Sequence, residues 1–189
     1  MNRDLFPRVT AVLCTGLPGR EQLAKAAIRS FFQQTYPNRD LLIFNHSKGE
    51  PYEYHLKKII DEPPPEVAVR EILVDKFPTL GEMRSAALDA LDAGTKFVVQ
   101  WDDDDWSHPL RIVKQMTALH QAKPGSCCTI GSQIRYSVPR NTAFRHSNPQ
   151  SGIAGTILFP NNGQRYQAEH GTEDSTFLKE HFLSKQKCQ

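Results

Sequence analysis

The chain has 189 residues, 39% of them hydrophobic and 23% charged, enough for one globular core and too few for two, so a single domain over 1–189 is expected. No apolar run approaches the ~18 residues that span a bilayer, and Met1 to Arg8 lacks the apolar stretch of a secretory signal, which together predict a soluble, cytoplasmic protein without a transmembrane segment. The formal net charge of +2 excludes a strongly polyionic chain, and cysteines at 14, 127, 128 and 188 form neither a CxxC pair nor a disulfide framework.

Val9 to Thr15 is a continuous apolar run rich in β-formers and reads as a buried strand, broken by Gly16-Leu17-Pro18-Gly19. From Glu21 to Phe32 the apolar residues recur at helical spacing, and the pattern dies before Pro37. Leu41 to Phe44 reads as a second strand. Lys48 to Glu66, with three consecutive prolines, predicts a loop holding one helical turn near Leu56 to Ile60. Val67 to Val74 is a third strand. Leu80 to Ala93 predicts a helix with Gly94 as a left-handed C-cap. Phe97 to Trp101 is apolar enough to be buried on both faces. A helix from Pro109 to Gln121 follows, with Ser107 as its N-cap and Ile112, Val113, Met116 and Leu119 inward. Cys127 to Tyr136 and Ile153 to Phe159 read as strands joined by a polar, basic loop, and Glu173 to Phe182 as a last helix.

Strand alternating with helix three times predicts an α/β fold: a Rossmann-like, mostly parallel, doubly wound sheet flanked by helices. In such sheets ligands bind outside the carboxyl ends of the strands, so the loops that begin at Thr15, Asn45, Asp75 and Asp102 share one edge.

At that edge the strand Phe97 to Trp101 runs directly into Asp102, Asp103, Asp104 and Asp105. In extended backbone Asp102 and Asp104 point together while Asp103 and Asp105 point away. Two carboxylates at ~4 Å repel by on the order of 4 kcal/mol at an effective dielectric near 20, so a cation or a proton must relieve them. Carboxylate oxygens favour hard ions, Mg²⁺ or Mn²⁺, commonly shared with substrate phosphates. The plainer reading is an acidic loop that feeds a helix N-terminus. A second charge signal lies further on. No Asp or Glu occurs between Trp106 and Ala168, a stretch that holds Arg111, Lys114, Lys123, Arg135, Arg140, Arg145 and Arg165. Such asymmetry points to an anionic partner, a nucleotide diphosphate or a nucleic acid, or else to a solvated basic face.

Arg20-x-x-Leu23, Ala27-Ile28-x-Ser30, Gln34-Thr35-Tyr36-Pro37-Asn38 and Leu41-Leu42-Ile43 resemble the opening of family 2 glycosyltransferases of the GT-A fold. Gly81-x-x-Arg84-x-x-Ala87 and Asp102-x-Asp104-Asp105-Trp106-x-x-Pro109 are similar to that family's central DXD segment, and Gly155-Thr156-Ile157-Leu158-Phe159 and Glu173-Asp174 to its later landmarks. The resemblance runs from about Val9 to Phe182. It implies a metal pair at Asp102 and Asp104, donor-binding residues at Thr15, Arg84, Asp102 and Asp103, and Asp174, with Glu173 beside it, as the catalytic carboxylates. It further implies a nucleotide-sugar donor, a UDP-sugar foremost, bound with Mn²⁺ or Mg²⁺, and inverting transfer to a carbohydrate or lipid-linked glycan.

Where that family ends its second strand with paired aspartates, this chain reads Asn45-His46-Ser47, so another residue reads the base or the donor is not of the uridine type. His46, His108 and His181 lack paired ligand spacing and are expected to be ordinary surface or loop histidines. Trp106 suits core packing or a site wall. Arg135, Arg140 and Arg145, interleaved with Tyr136 and Phe144, keep a nucleic-acid acceptor open. A metal-dependent nucleotidyltransferase also uses clustered aspartates, although no GxxxxGK[ST] loop is present.

Overall fold

A computed structural model describes residues 3–137, 142–148 and 152–182. Arg140 and Cys188 lie outside the described residues, as does the side chain of Tyr136. In chain order the elements are β1 (Val9–Thr15), α1 (Glu21–Phe32), β2 (Arg39–Asn45), α2 (Leu56–Ile59), β3 (Ala68–Leu73), α3 (Leu80–Asp89), β4 (Phe97–Gln100) and β5 (Asp105–Trp106). They continue with α4 (Arg111–Gln121), β6 (Cys128–Ile130), β7 (Ser132–Ser137), β8 (Thr142–Ser147), β9 (Ile153–Pro160) and α5 (Glu173–Phe182). No helix among the described residues is long and apolar enough to cross a membrane.

The main sheet has six strands in the order β3-β2-β1-β4-β9-β6. The first four are parallel, whereas β9 runs antiparallel to both β4 and β6. Alternation along β1 divides the core in two. Val9, Ala11 and Leu13 pack with α1 and Ile112 of α4 on one face, and Val12 and Cys14 pack with α3 and α5 on the other. This double coverage is why the parallel strands read as unbroken apolar runs.

Register carries the ends of β1, β2 and β3 to one level, with Thr15 opposite Asn45 and Asn45 opposite Leu73. Val12 pairs with Gln100, which brings the acidic run out at the same edge. The expected ligand edge is therefore present.

Three local expectations fail. The polar segment before Ile153 is no simple loop. It contains β8, and β5-β7-β8 form a separate antiparallel sheet. The helix α3 stops at Asp89, and Gly94 does not take the left-handed conformation. Asp92 is drawn outward by ion pairs to Arg8 at 2.8 Å and Arg70 at 3.3 Å, and the Arg70 guanidinium also donates to the Ala90 carbonyl. At the start of α4 the Ile112 N–H is taken by Gln34 Oε1 at 3.2 Å and not by Ser107. The Ser107 hydroxyl instead accepts from Arg111 Nη1 at 2.9 Å.

Candidate active site

A cavity of about 420 Å³ opens at the carboxyl edge of the parallel strands. Five carboxylates (Asp102, Asp103, Asp104, Glu173 and Asp174) and three guanidiniums (Arg20, Arg84 and Arg135) line it. Its carboxylates thus outnumber its guanidiniums five to three.

Arg84 is the hub. A capping box fixes the start of α3: Thr79 Oγ1 accepts the Glu82 N–H at 3.2 Å, and the Glu82 carboxylate accepts the Thr79 N–H at 3.0 Å. At Gly81 the backbone of residues 167–169 crosses the helix, with the Gly81 N–H donating to Glu169 O at 3.2 Å, and a Cβ there would overlap the Gln167 carbonyl. The spacing Gly81-x-x-Arg84 thus places a guanidinium one turn above a backbone crossing. Arg84 Nη1 donates to Glu173 Oε1 at 2.6 Å and to Asp174, and Nη2 donates to Asp102 Oδ1 at 3.1 Å. Burial pulls against its charge, but Asp102 and Asp174 outweigh burial and hold its pKa above the ordinary value.

The four aspartates have four different surroundings. Gln100 Nε2 donates to Asp102 Oδ1 at 2.9 Å, and Gln100 Oε1 in turn accepts from the Tyr166 hydroxyl at 3.0 Å, which fixes the amide's orientation. Asp103 is buried, accepts from Thr15 Oγ1 at 2.7 Å and is paired with Arg20. Its burial raises its pKa against the opposing pull of Arg20 and Thr15. Asp104 keeps 22% of its side chain exposed, with Arg20 at 3.4 Å. Asp105 leaves the cavity, meets Arg135 at 3.1 Å and is pushed up to about 7, first by burial and then by Asp102. Strict alternation therefore does not hold: Asp102, Asp103 and Asp104 all border the cavity, because the chain turns at 103–104 before β5.

Asp174 opens α5 beside Glu173 and faces Asp102 across Arg84. Burial raises its pKa to about 6 against the pull of Arg84. Glu173 is nearly fully buried and its second oxygen, Oε2, has no hydrogen-bond partner.

Thr15 lies at the cavity wall, with its hydroxyl held by Asp103 and by Tyr54 at 3.0 Å. Asn45 is fully buried: its amide donates to Tyr54 O at 2.8 Å and Glu71 Oε1 at 3.0 Å, while its Oδ1 accepts the Ser47 N–H at 3.1 Å. It shapes the turn after β2 and does not reach the cavity. His46 does reach it, contrary to the expectation of an ordinary loop histidine. Burial, reinforced by Lys76, lowers its pKa, and its Nδ1 is buried without a partner. Gly16, at φ +129°, makes room for its ring. His108 is exposed, and His181 packs on Phe177 with Nε2 at 3.0 Å from Arg165 O, away from the cavity. Trp106 is not core: it is 47% exposed.

Arg20, Phe77 and His170 carry no site role in the sequence, and Arg135 figures there only within the basic stretch and, beside Arg140 and Arg145, as a grip for a nucleic-acid acceptor; all four line the cavity. Arg20 had a visible signal, a cation opening a helix just after a Gly-x-x-Gly break. Nothing in the sequence ties Arg135 to this cavity, because only its pairing with Asp105 across two strands brings it near.

Among the described residues no group of three or more His, Cys, Asp and Glu side chains converges on one point to hold a metal ion. Asp102 and Asp104 nevertheless fit a shared site: both border an acid-rich cavity, and oxygen ligands suit a hard ion whose remaining positions go to water and phosphate.

The fold is that of the GT-A glycosyltransferases. It matches a fragment of S. aureus TarS, residues 1–349, with a TM-score of 0.64 at 14% identity over 94% of this chain and 56% of that one. The same TarS fragment in complex with UDP-GlcNAc matches with a TM-score of 0.70 at 13% identity, over 94% and 54% of the two chains. The mannosyltransferase PcManGT of Pyrobaculum calidifontis, in complex with GDP-Man and Mn²⁺, matches with a TM-score of 0.67 at 15% identity, over 96% and 54%. The chain thus spans about half the length of these structures. A 4-diphosphocytidyl-2C-methyl-D-erythritol synthase from Anaerococcus prevotii matches with a TM-score of 0.60 at 10% identity, over 95% and 86%. No family model and no curated protein matches the chain.

Proposed function

We propose that the protein transfers a sugar from a nucleotide-sugar donor to an acceptor hydroxyl. The observation that carries this reading is the placement of Asp102 and Asp174 on two sides of Arg84 at one cavity edge. One carboxylate serves the leaving group, the other the nucleophile. Asp102 and Asp104 would hold Mg²⁺ or Mn²⁺, which when bound supplies the positive charge that a departing diphosphate needs. Arg84 and Arg20, already in the cavity, add hydrogen-bond donors toward the phosphates. Asp174 takes the proton of the acceptor hydroxyl as it attacks the anomeric carbon, and Glu173 stays paired to Arg84. A single displacement of this kind inverts the anomeric centre.

The neighbours bound to UDP-GlcNAc and GDP-Man support a nucleotide sugar as donor, with UDP-sugars the first to test. A carbohydrate or lipid-linked glycan is the acceptor class, and the cytoplasm the compartment, that this reading takes over from the sequence. A neighbour named as the synthase of a diphosphocytidyl compound favours a second reading, nucleotidyl transfer. One assay separates the two. Purified protein is incubated with Mn²⁺ and either UDP- and GDP-sugars or nucleoside triphosphates. Free nucleoside diphosphate from the sugars supports glycosyl transfer, and pyrophosphate from the triphosphates supports the alternative.

A further inference from the structure

We infer that the outer face of the small β5-β7-β8 sheet is the acceptor surface and takes an anionic carbohydrate, one whose units carry phosphate or carboxylate groups, stacked on Trp106. The inference rests on the glycosyl-transfer reading and names its acceptor class. Register places Trp106 beside Ile134, and Ile134 beside Arg145, in one row across the three strands. Trp106 is 47% and Ile134 40% exposed, an apolar pair left in water next to a cation. The edge-on ring of His108, with centroids 6.2 Å apart, supports the indole from the side.

Grooves lie on both sides of Trp106. One, of about 320 Å³, runs between Leu23 and Ala26 of α1 and Ile134 of β7, and is bounded by Asp104 and Arg135, which also border the main cavity. A chain on this face is therefore continuous with the site. The other, of about 250 Å³, is lined by Lys114, Ser132 and Arg145. Arg135 is engaged by Asp105, and Arg111 by Gln100 O, Gln115 and Ser107. Lys114 and Arg145 are exposed, Arg145 Nε donates to Ser132 Oγ at 2.7 Å, and no acidic residue occurs between Trp106 and Ala168.

A flat apolar surface beside two cations suits a pyranose, whose C–H face packs on an indole while an anionic substituent meets the cations. It suits single-stranded nucleic acid less well, because such platforms stack successive bases on several rings. Phe144, one residue from Arg145, points to the opposite face of the sheet.

The test follows the two indole N–H signals by NMR. Trp101 is the internal reference, since its Nε1 donates to Ala27 O at 2.9 Å in the core. Tetragalacturonate supplies carboxylates, glucose 6-phosphate a phosphate, maltotetraose neither, and (dT)8 the nucleic-acid arm. The expected result is movement of the Trp106 signal with one or both anionic sugars and at least tenfold weaker response to maltotetraose and (dT)8. Trp106→Ala, read by calorimetry, and Arg145→Gln should each weaken that binding at least tenfold and leave the melting shift produced by Mn²⁺ and UDP or GDP unchanged. No movement with either anionic sugar, equal binding of maltotetraose, tighter binding of (dT)8, or variants that bind like the parent would each overturn the inference. Wild-type protein that shows no melting shift with any nucleoside diphosphate would instead sink the donor reading, whatever the indole reports.

Discussion

Gly155 stands against Asp102 so closely that a side chain there would push the carboxylates aside: a Cβ at that position would lie 2.9 Å from Asp102 Oδ2 and 3.3 Å from Asp174 Oδ2. Two carboxylates from distant parts of the chain thus approach one bare segment of β9. Gly155→Ala would also gain some backbone rigidity in the strand, so its melting temperature should change little. Mn²⁺-dependent binding of a nucleoside diphosphate should nevertheless fall at least tenfold, on the order of 1.4 kcal/mol, as the carboxylates are forced apart. Calorimetry checks both quantities, and intact binding would remove the steric argument.

Asp104→Asn should abolish Mn²⁺-dependent binding of UDP or GDP, because an amide cannot supply charge to a cation. Asp104 is the member of the acidic run with the most exposed side chain among those facing the cavity in ion pairs, at 22% against 17% for Asp102 and 8% for Asp103. Thermal shift with and without Mn²⁺ reads the effect.

Asp174→Asn should leave nucleoside diphosphate binding near the parent value and cut turnover by roughly 10²–10⁴-fold, the usual scale for a lost general base. The base must be ionised. Since burial raises Asp174 to about 6 against the pull of Arg84, turnover should climb as pH rises through about 6, and a bound divalent ion can only move that limb lower. A limb centred above pH 7 would assign the base elsewhere.

Arg84→Leu leaves Asp102, Glu173 and Asp174 without their shared cation. Loss of one partner of a buried ion pair costs about 3–5 kcal/mol, so the variant should melt well below the parent at pH 8. The penalty should shrink at pH 5, where the raised Asp174 carboxyl is protonated. A pH-independent deficit would point to lost packing on Tyr166, over whose ring the guanidinium sits at 5.6 Å.

Gly81→Ala should destabilise by about 1–3 kcal/mol through overpacking, because its Cβ meets the backbone of Gln167, which cannot rotate aside. Chemical denaturation measures it directly.

Much of this architecture is legible from residue order alone. The bounds of β1 and α1 and the start of α5 follow from the residue pattern, because each buries a face in one of the two cores. The strand β8 is invisible to the same reasoning: its side chains are almost all exposed, so no alternation marks it. The acidic run announces the site, but the division of labour within it depends on a turn at 103–104 and on partners, Arg20 and Arg135, set 83 and 30 residues away. Asn45 shows the converse. It looked like an altered base-reading position, and its side chain is spent inside the turn after β2.

The ion triad on Arg84 joins positions 89 and 90 residues apart in the chain. During synthesis that guanidinium emerges well before Glu173 and Asp174, and docking of α5 supplies both at once. Closure of this cavity edge is therefore a late event in biogenesis: a nascent chain halted before α5 has the parallel strands and the acidic edge, yet only Asp102 of the three carboxylates that settle Arg84.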